Sequence, residues 1–385
     1  MIERKRHAEA LQTALDRYPV VAILGSRQVG KTSLARSVAA GYEKPATFFD
    51  LEIPAVVARL NEPMIVLEPL RGLVVLDEIQ RRPELFPILR VLADRPGSPA
   101  RFLVLGSASP ELLRQSSESL AGRIHFHELG GFALDEAGPE ALDALWLRGG
   151  FPLSFLAESD AASFNWRRNF VRTFLESDLP QLGVQTPSET LRRFWTMLAH
   201  VHGQTWNGAE FARSFGVSTQ TVNRYLDLLV STFVVRQLRP WFENLGKRQV
   251  KAPKVYLSDS GLLHALLGIV DKDDLETNPK LGASWEGFAL REIVERLGAY
   301  PEEVFFWGTH GGAELDLLVV RGRRRFGFEI KRTDAPRLTP SMHIALADLK
   351  LDRLDVIHAG EFDFPMTEGI RAVPLAKIRE LLQPL

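Results

Sequence analysis

Glycine, four variable residues, glycine, lysine and threonine follow one another in Gly25-Ser26-Arg27-Gln28-Val29-Gly30-Lys31-Thr32. That spacing suits one chemistry. A glycine-rich turn lets backbone N–H groups converge on phosphate oxygens because side chains do not block the approach, and a helix beginning there adds the positive end of its dipole. Lys31 would neutralise the phosphates and the Thr32 hydroxyl would bind magnesium, with the nucleotide-binding stretch running on through Ser33. A second group, Leu73-Val74-Val75-Leu76-Asp77-Glu78, is an apolar run ending in two carboxylates. It reads as a buried parallel strand that delivers its acids at the carboxyl edge of a sheet. Asp77 would hold the magnesium through water and Glu78 would polarise an attacking water, so the two motifs together call for ATP and Mg2+.

Two weaker candidates flank this pair. The run Phe102-Leu103-Val104-Leu105-Gly106-Ser107-Ala108-Ser109 ends in small hydroxyl residues. Ser107 would sense the γ-phosphate or orient the water, or it simply closes a strand-end turn. Ser119-Leu120-Ala121-Gly122-Arg123 places an arginine just before the next strand. Arg123 is either a cation offered to a neighbouring subunit's nucleotide, stabilising charge on the transferring phosphoryl group, or a surface residue in a salt bridge.

Far along the chain, Glu314-Leu315-Asp316 and Glu329-Ile330-Lys331 lie on two β-type runs joined by the turn Arg321-Gly322-Arg323-Arg324-Arg325. Strand side chains alternate faces, so pairing across that turn would bring Asp316, Glu329 and Lys331 together. With Glu286 from a preceding helix, these residues would make an oxygen-ligand site for Mg2+ or Mn2+ and a lysine to activate water, with Asp316, Glu329 and Lys331 catalytic.

Basic residues make a third kind of site. Gly208–Phe215, the turn Gly216-Val217 and Ser218–Leu229 have helix-turn-helix anatomy, with Ser218 capping the second helix. The runs Phe233–Leu238 and Lys254–Leu257 read as the strands of a wing, carrying Arg236, Arg239, Lys247, Arg248, Lys251 and Lys254 against Glu243 alone. Either Thr219, Gln220, Asn223 and Arg224 face DNA while Lys247, Arg248 and Lys251 hold its backbone, or the whole is a packing module.

The elements that must position these residues alternate. Strands at Val20–Leu24, Ala46–Asp50, Leu73–Asp77, Arg101–Gly106 and Arg123–His127, with helices at Ile53–Leu60 and Glu84–Asp94, give a doubly wound α/β signature. Phe164–Leu179 shows helical spacing of apolar residues with arginines between them. Toward the end, a helix Ser284–Leu297, strands Val304–Trp307, Ala313–Val320 and Phe326–Arg332, a helix Pro340–Leu349 and a strand Leu354–His358 are expected. The 385 residues, 45% of them apolar, allow two or three domains. The absence of cysteine excludes disulfides, thiol nucleophiles and cysteine-ligated zinc, and it suits a reducing cytoplasm. No signal core and no run of about eighteen apolar residues is present, so a cytoplasmic chain without a membrane partner is expected. A net charge of −1 leaves any nucleic-acid binding to local patches.

The phosphate loop, Asp77-Glu78-Ile79-Gln80, Gly106-Ser107-Ala108-Ser109 and Leu120-Ala121-Gly122-Arg123 together resemble the AAA+ superfamily. More narrowly, they resemble the prokaryotic ATP-binding proteins that join an AAA+ core to a carboxyl-terminal domain of unknown function. The order helix-Glu, strand-Asp, Glu-x-Lys resembles the PD-(D/E)XK nuclease fold, especially its archaeal Holliday-junction-resolvase-like branch, with Leu315-Asp316 standing for the usual Pro-Asp. The expected α/β architecture is an AAA+ P-loop ATPase core over 1–150, a helical lid over 151–200, a winged-helix domain over 201–265 and a carboxyl-terminal PD-(D/E)XK nuclease-like domain over 280–385. These resemblances imply a homo-oligomeric, ATP-dependent DNA-processing protein that binds DNA and cleaves branched DNA as a metal-dependent endonuclease. The other reading is a regulatory, signalling or defence ATPase whose nuclease-like domain is inactive and binds DNA or a protein partner.

Overall fold

The computed structural model describes residues 2–97, 99–107, 120–243, 246 and 248–385. They form two compact units. The first runs to Gly131 and takes in Ser231–Phe233; the second comprises Phe132–Val230 and Val234–Leu385.

The first unit is built on five parallel strands, β1 (Val20–Leu24), β2 (Ala46–Asp50), β3 (Gly72–Asp77), β4 (Ala100–Gly106) and β5 (Ile124–Glu128), in the order β2-β3-β4-β1-β5. β1 and β3 are buried along their whole length, which is why they are continuous apolar runs rather than alternating ones. β4 lies between β1 and β3, so the loops after these two strands open on one crevice at the carboxyl edge. The helix Lys5–Arg17 buries Leu11 and Leu15, one turn apart. Val74, Leu76, Phe102, Val104, Leu85 and Leu89 form the core on one side of the sheet.

The second unit carries a nine-stranded sheet, β6 (Gln204–Thr205), β7 (Val235–Pro240), β8 (Lys254–Leu257), β9 (Val304–Gly308), β10 (Glu314–Arg321), β11 (Arg324–Lys331), β12 (Arg353–His358), β13 (Phe364–Thr367) and β14 (Ile370–Pro374). The order is β13-β14-β12-β11-β10-β9-β7-β8-β6. β9, β10 and β11 run antiparallel to their neighbours in turn, and the helix Pro340–Asp348 then carries the chain to β12, which lies parallel to β11. β7 pairs antiparallel with β8. It also pairs in parallel with β9 through Arg239 opposite Phe305 and Pro240 opposite Phe306. The middle and carboxyl-terminal segments, expected as separate domains over 201–265 and 280–385, therefore share one sheet.

Gly131, not residue 150, marks the end of the first unit. The helix Leu142–Arg148 explains this, because its Trp146 ring packs against His264, Trp285 and Phe288. Asp259 ties the same region together. Its carboxylate accepts the Leu262 N–H at 2.9 Å, capping the helix Ser260–Leu267, and the Gly150 N–H at 2.7 Å. A Cβ at Gly261 would lie 2.1 Å from the Arg148 carbonyl oxygen, and the buried Arg167 guanidinium donates to the carbonyls of Leu147 and Gly261. The Asp259-Ser260-Gly261 run is thus a structural clamp. Among the described residues no helix is long and apolar enough to cross a membrane.

Candidate functional site

The phosphate loop leaves β1 at Leu24 and ends where the helix Lys31–Ala40 begins. Two positions require its sequence. At Gly25 a Cβ would lie 2.2 Å from the Leu129 carbonyl oxygen, and Gly30 adopts φ +98°, a left-handed conformation that glycine takes without strain. The Lys31 ammonium turns back into the loop and donates to the carbonyls of Gly25 and Ser26, both at 2.9 Å. Burial lowers its pKa to about 8, although Glu78 and Asp77 pull the other way. The buried Ser26 hydroxyl has no hydrogen-bond partner. Val29 is buried while the Gln28 and Ser33 side chains are exposed, and Arg27 reaches sideways to Glu52 at 2.9 Å. The loop therefore offers backbone, not side chains, between Gly25 and Lys31.

β3 delivers its carboxylates to the same edge. Thr32 Oγ1 donates to Asp77 Oδ2 at 2.7 Å, joining the two residues expected to share the magnesium. Glu78 follows with φ +57°, unusual for a residue with a side chain, so its carboxylate is aimed by a strained turn rather than by the strand. Burial raises the pKa of both acids; Thr32 opposes it at Asp77, and Lys31 opposes it at Glu78. Gln80 Nε2 donates to the Glu78 carboxylate and, at 3.0 Å, to Ser107 Oγ, linking the end of β3 to the end of β4. Nothing in the sequence around Gln80 marks its role, and the strand-end position of Ser107 is the one signal that points to this bridge. Ala108 and Ser109 lie outside the described residues.

Arg123 takes the surface-pair alternative within its own chain. It stands at the amino end of β5, where Val20 pairs with Ile124, at the opposite end of the sheet from the loop that follows Leu24. Its guanidinium holds the Asp94 carboxylate at 2.6 and 3.0 Å. Arg123 cannot reach this chain's own phosphate loop.

In the second unit, Glu286 and Asp316 lie with Glu314 around a lysine, and Glu329 pairs with a second one. The helix Leu281–Leu297 brings Glu286, β10 brings Glu314 and Asp316, and β11 brings Glu329 and Lys331. Leu317 opposite Phe328 sets the register, and Asp316 Oδ2 accepts the Ile330 N–H at 2.8 Å. Lys254, from β8, inserts its ammonium among them, 2.5 Å from Glu314, 3.4 Å from Glu286 and 3.9 Å from Asp316. Tyr256, two residues on, donates its hydroxyl to Glu286 at 2.6 Å. Burial alone would lower the Lys254 pKa, but Glu286, Asp316 and Glu314 outweigh it and hold the ammonium charged. Asp316 is pushed well above the usual carboxylate range by burial and by Glu286 and Glu329. Glu329 is raised by burial, partly offset by Lys331, whose ammonium lies 2.7 Å away.

This arrangement corrects the metal assignment of Glu286, Asp316 and Glu329. Among the described residues no three His, Cys, Asp or Glu side chains are placed to hold a metal ion. The Lys254 ammonium stands within 4 Å of Glu286, Glu314 and Asp316 and offsets their charge in place of a metal, while Glu329 pairs with Lys331. It also corrects the basic patch, from which buried Lys254 must be removed. Glu243 is already neutralised by Arg325 at 2.7 Å.

The helices Gly208–Phe215 and Thr219–Ser231 form, and Ser218 Oγ accepts the Thr221 N–H at 3.2 Å as the cap. Thr219, Gln220, Asn223 and Arg224 share an exposed face, Asn223 accepting from the Trp206 indole at 3.0 Å. Arg248 and Lys251 are exposed, and Lys247 lies outside the described residues.

Comparison with known proteins gives three matched segments. Residues 17–138 match an AAA domain, residues 139–273 a domain of unknown function (DUF8612) and residues 281–378 a domain of unknown function (DUF4143). The uncharacterized protein Rv2008c of Mycobacterium tuberculosis is 53% identical over 378 residues, covering 98% of this chain and 85% of that protein. The uncharacterized protein Mb2031c of Mycobacterium bovis matches with the same figures. The chain belongs to the family of these mycobacterial proteins, and its first unit is an AAA-type ATPase domain. The Walker-type ATPase PABY2304 of Pyrococcus abyssi shares the fold, with a TM-score of 0.50 and 15% identity over 69% of this chain and 96% of that one. Within this AAA family member, Lys254 belongs to the segment matched as DUF8612. The carboxylates around it belong to the segment matched as DUF4143.

Proposed function

We propose that this AAA family member is an ATP-driven nucleic-acid-binding protein whose nuclease-like carboxyl-terminal domain engages its substrate without cutting it. The observation that carries the ATPase half is the Thr32–Asp77 hydrogen bond beside the Glu78–Gln80–Ser107 chain. Magnesium-bound ATP fits there: a buried Ser26 hydroxyl is unpartnered, the Lys31 ammonium is held by carbonyls that anionic oxygens can replace, and the hydroxyl and carboxylate a hydrated cation needs are already adjacent. Bound Mg-ATP supplies the scissile phosphoanhydride and a cation that offsets its charge. Lys31 and the loop N–H groups bind and orient the phosphates, Glu78 accepts a proton from water, and Gln80 holds the Glu78 carboxylate toward Ser107. Arg123 would serve a neighbour's site in a homo-oligomer, exchanging Asp94 for phosphate.

The nucleic-acid half rests on the exposed face of the helix Thr219–Ser231, with Arg248 and Lys251 as phosphate contacts. A winged-helix reading is supported by β7 and β8 following that helix as an antiparallel pair. For the carboxyl-terminal part, the order helix, three antiparallel strands, helix and parallel strand supports the PD-(D/E)XK-like fold, whereas Lys254 among the acids favours binding over cleavage. The test is duplex, forked and four-way-junction DNA binding across a salt series, with ATP turnover followed in parallel. Arg224→Ala and Lys251→Ala are each expected to weaken binding and lower the salt slope by about one. An unchanged slope in both, or no binding by the wild type, would remove DNA and leave an ATPase that addresses a protein partner.

A further inference from the structure

Arg27 stands inside the phosphate loop, between Gly25 and Gly30, yet its guanidinium is turned aside to Glu52. That acid is fixed beside the site. The Glu52 N–H donates to Asp50 Oδ1 at 2.9 Å, and the Leu51 N–H donates to the Asp77 carbonyl at 3.2 Å, stitching the end of β2 to the end of β3. Glu52 Oε1 then accepts from Arg27 at 2.9 Å and from Arg81 at 3.1 Å, so one oxygen serves two guanidinium groups. Arg123 is held differently, by both oxygens of Asp94 at 2.6 and 3.0 Å. A shared oxygen makes the weaker pair, and with Glu52 42% and Arg27 27% exposed it is readily exchanged for a stronger anion. Arg27 also acts on both working groups of the site. Burial lowers the Lys31 pKa and Arg27 adds to the fall; burial raises the Glu78 pKa and Arg27 opposes the rise.

We infer that Arg27 is the chain's own arginine finger: parked on Glu52, it transfers to the terminal phosphoryl group of ATP, while Arg81 stays behind and keeps Glu52 paired. In the step itself the water oxygen bonds to the γ-phosphorus as the bond to the β–γ bridging oxygen breaks. That oxygen keeps the electron pair and leaves as ADP, and a water proton passes to Glu78. Arg27 exchanges no atoms; its N–H groups donate to the oxygens on which charge gathers, where a guanidinium is worth most. This role rests on the ATPase reading and adds a residue to it. It stands beside the role proposed for Arg123, which reaches only a neighbour's site.

Wild type, Arg27→Gln and Glu52→Gln are compared in three measurements: ATP turnover, ADP binding, and binding of ADP with aluminium fluoride, which mimics the phosphoryl group in transfer. Arg27→Gln should lower kcat at least about a hundredfold with KM within about threefold of wild type. It should bind ADP as wild type does, which also shows that it is folded, yet lose at least about tenfold in affinity for ADP with aluminium fluoride. Glu52→Gln releases Arg27 and should turn over ATP at least as fast as wild type. A salt bridge that only supports the loop predicts the opposite, with both variants losing turnover together, and that result would overturn the inference. So would loss of ADP binding in Arg27→Gln, which would place Arg27 in ground-state binding. Turnover by Arg27→Gln within about threefold of an active wild type removes the finger and leaves the ATPase reading standing. A wild type that turns over no ATP removes both.

Discussion

Nucleotide binding should draw a proton into the protein at alkaline pH. The Lys31 ammonium, ordinarily near 10.5, is brought to about 8 chiefly by burial. That difference is worth about 3 kcal/mol. The cost is carried in full below pH 8 and relieved as pH rises from 8 toward 10.5, because the folded chain then sheds a proton that the unfolded chain keeps. Phosphate oxygens in place of the Gly25 and Ser26 carbonyls favour the charged form and send the pKa back up. At pH 8 about half the sites are neutral, so Lys31 should take up about 0.5 proton per chain on ADP binding; at pH 6.5 its share is only about 0.03, and the ADP phosphate's own titration adds to the observed figure there. Calorimetric titration of ADP without magnesium, in buffers of differing ionisation enthalpy, reads this number as the slope of observed heat against buffer enthalpy. Glu78→Gln removes an acid that raises the Lys31 pKa, so more of the lysine is neutral at pH 8 and the slope should grow. Lys31→Arg, charged throughout, should abolish it if nucleotide still binds. A slope of zero at pH 8 in Glu78→Gln would refute the reasoning.

Two further outcomes follow from single residues. Glu292 is fully buried, accepts the Leu134 N–H at 2.6 Å, and has its pKa raised to about 7 by burial against the pull of Arg291. Its charge therefore destabilises the fold above pH 7, so Glu292→Gln should gain up to about 3 kcal/mol in urea unfolding at pH 8, shrinking below about 1 kcal/mol at pH 5. Gln80→Ala breaks the link between Glu78 and Ser107 and should lower kcat for ATP by about tenfold or more with KM little changed, read by steady-state turnover. An equal rise in KM would instead place Gln80 in ground-state binding.

Much of the ATPase unit could be read from the chain because each central strand is buried on both faces and so appears as an uninterrupted apolar run. β1 and β2 fall where that reading puts them, and β3, β4 and β5 differ by a residue at their ends. Long-range pairings gave no such signal. Two residues of β7 against two of β9 join segments far apart in sequence, and no periodicity marks them. β13 is mostly exposed and contains Pro365, so it resembles a loop. Lys254 was misread for the same reason: a lysine at the start of Lys254-Val255-Tyr256-Leu257 looks like the base of a wing. Only the folded sheet reveals that Glu286, Glu314 and Asp316 converge upon it. Arg123 was legible as a cation near a strand, whereas its partner Asp94 was not.

The most direct test of the central claim is magnesium-dependent ATP hydrolysis by the purified chain, with nucleotide binding measured on the same samples. Wild type should turn over ATP, Glu78→Gln should bind it but hydrolyse at least about a hundredfold more slowly, and Lys31→Ala should lose binding. Glu78→Gln hydrolysing at the wild-type rate would contradict the account of how this site works.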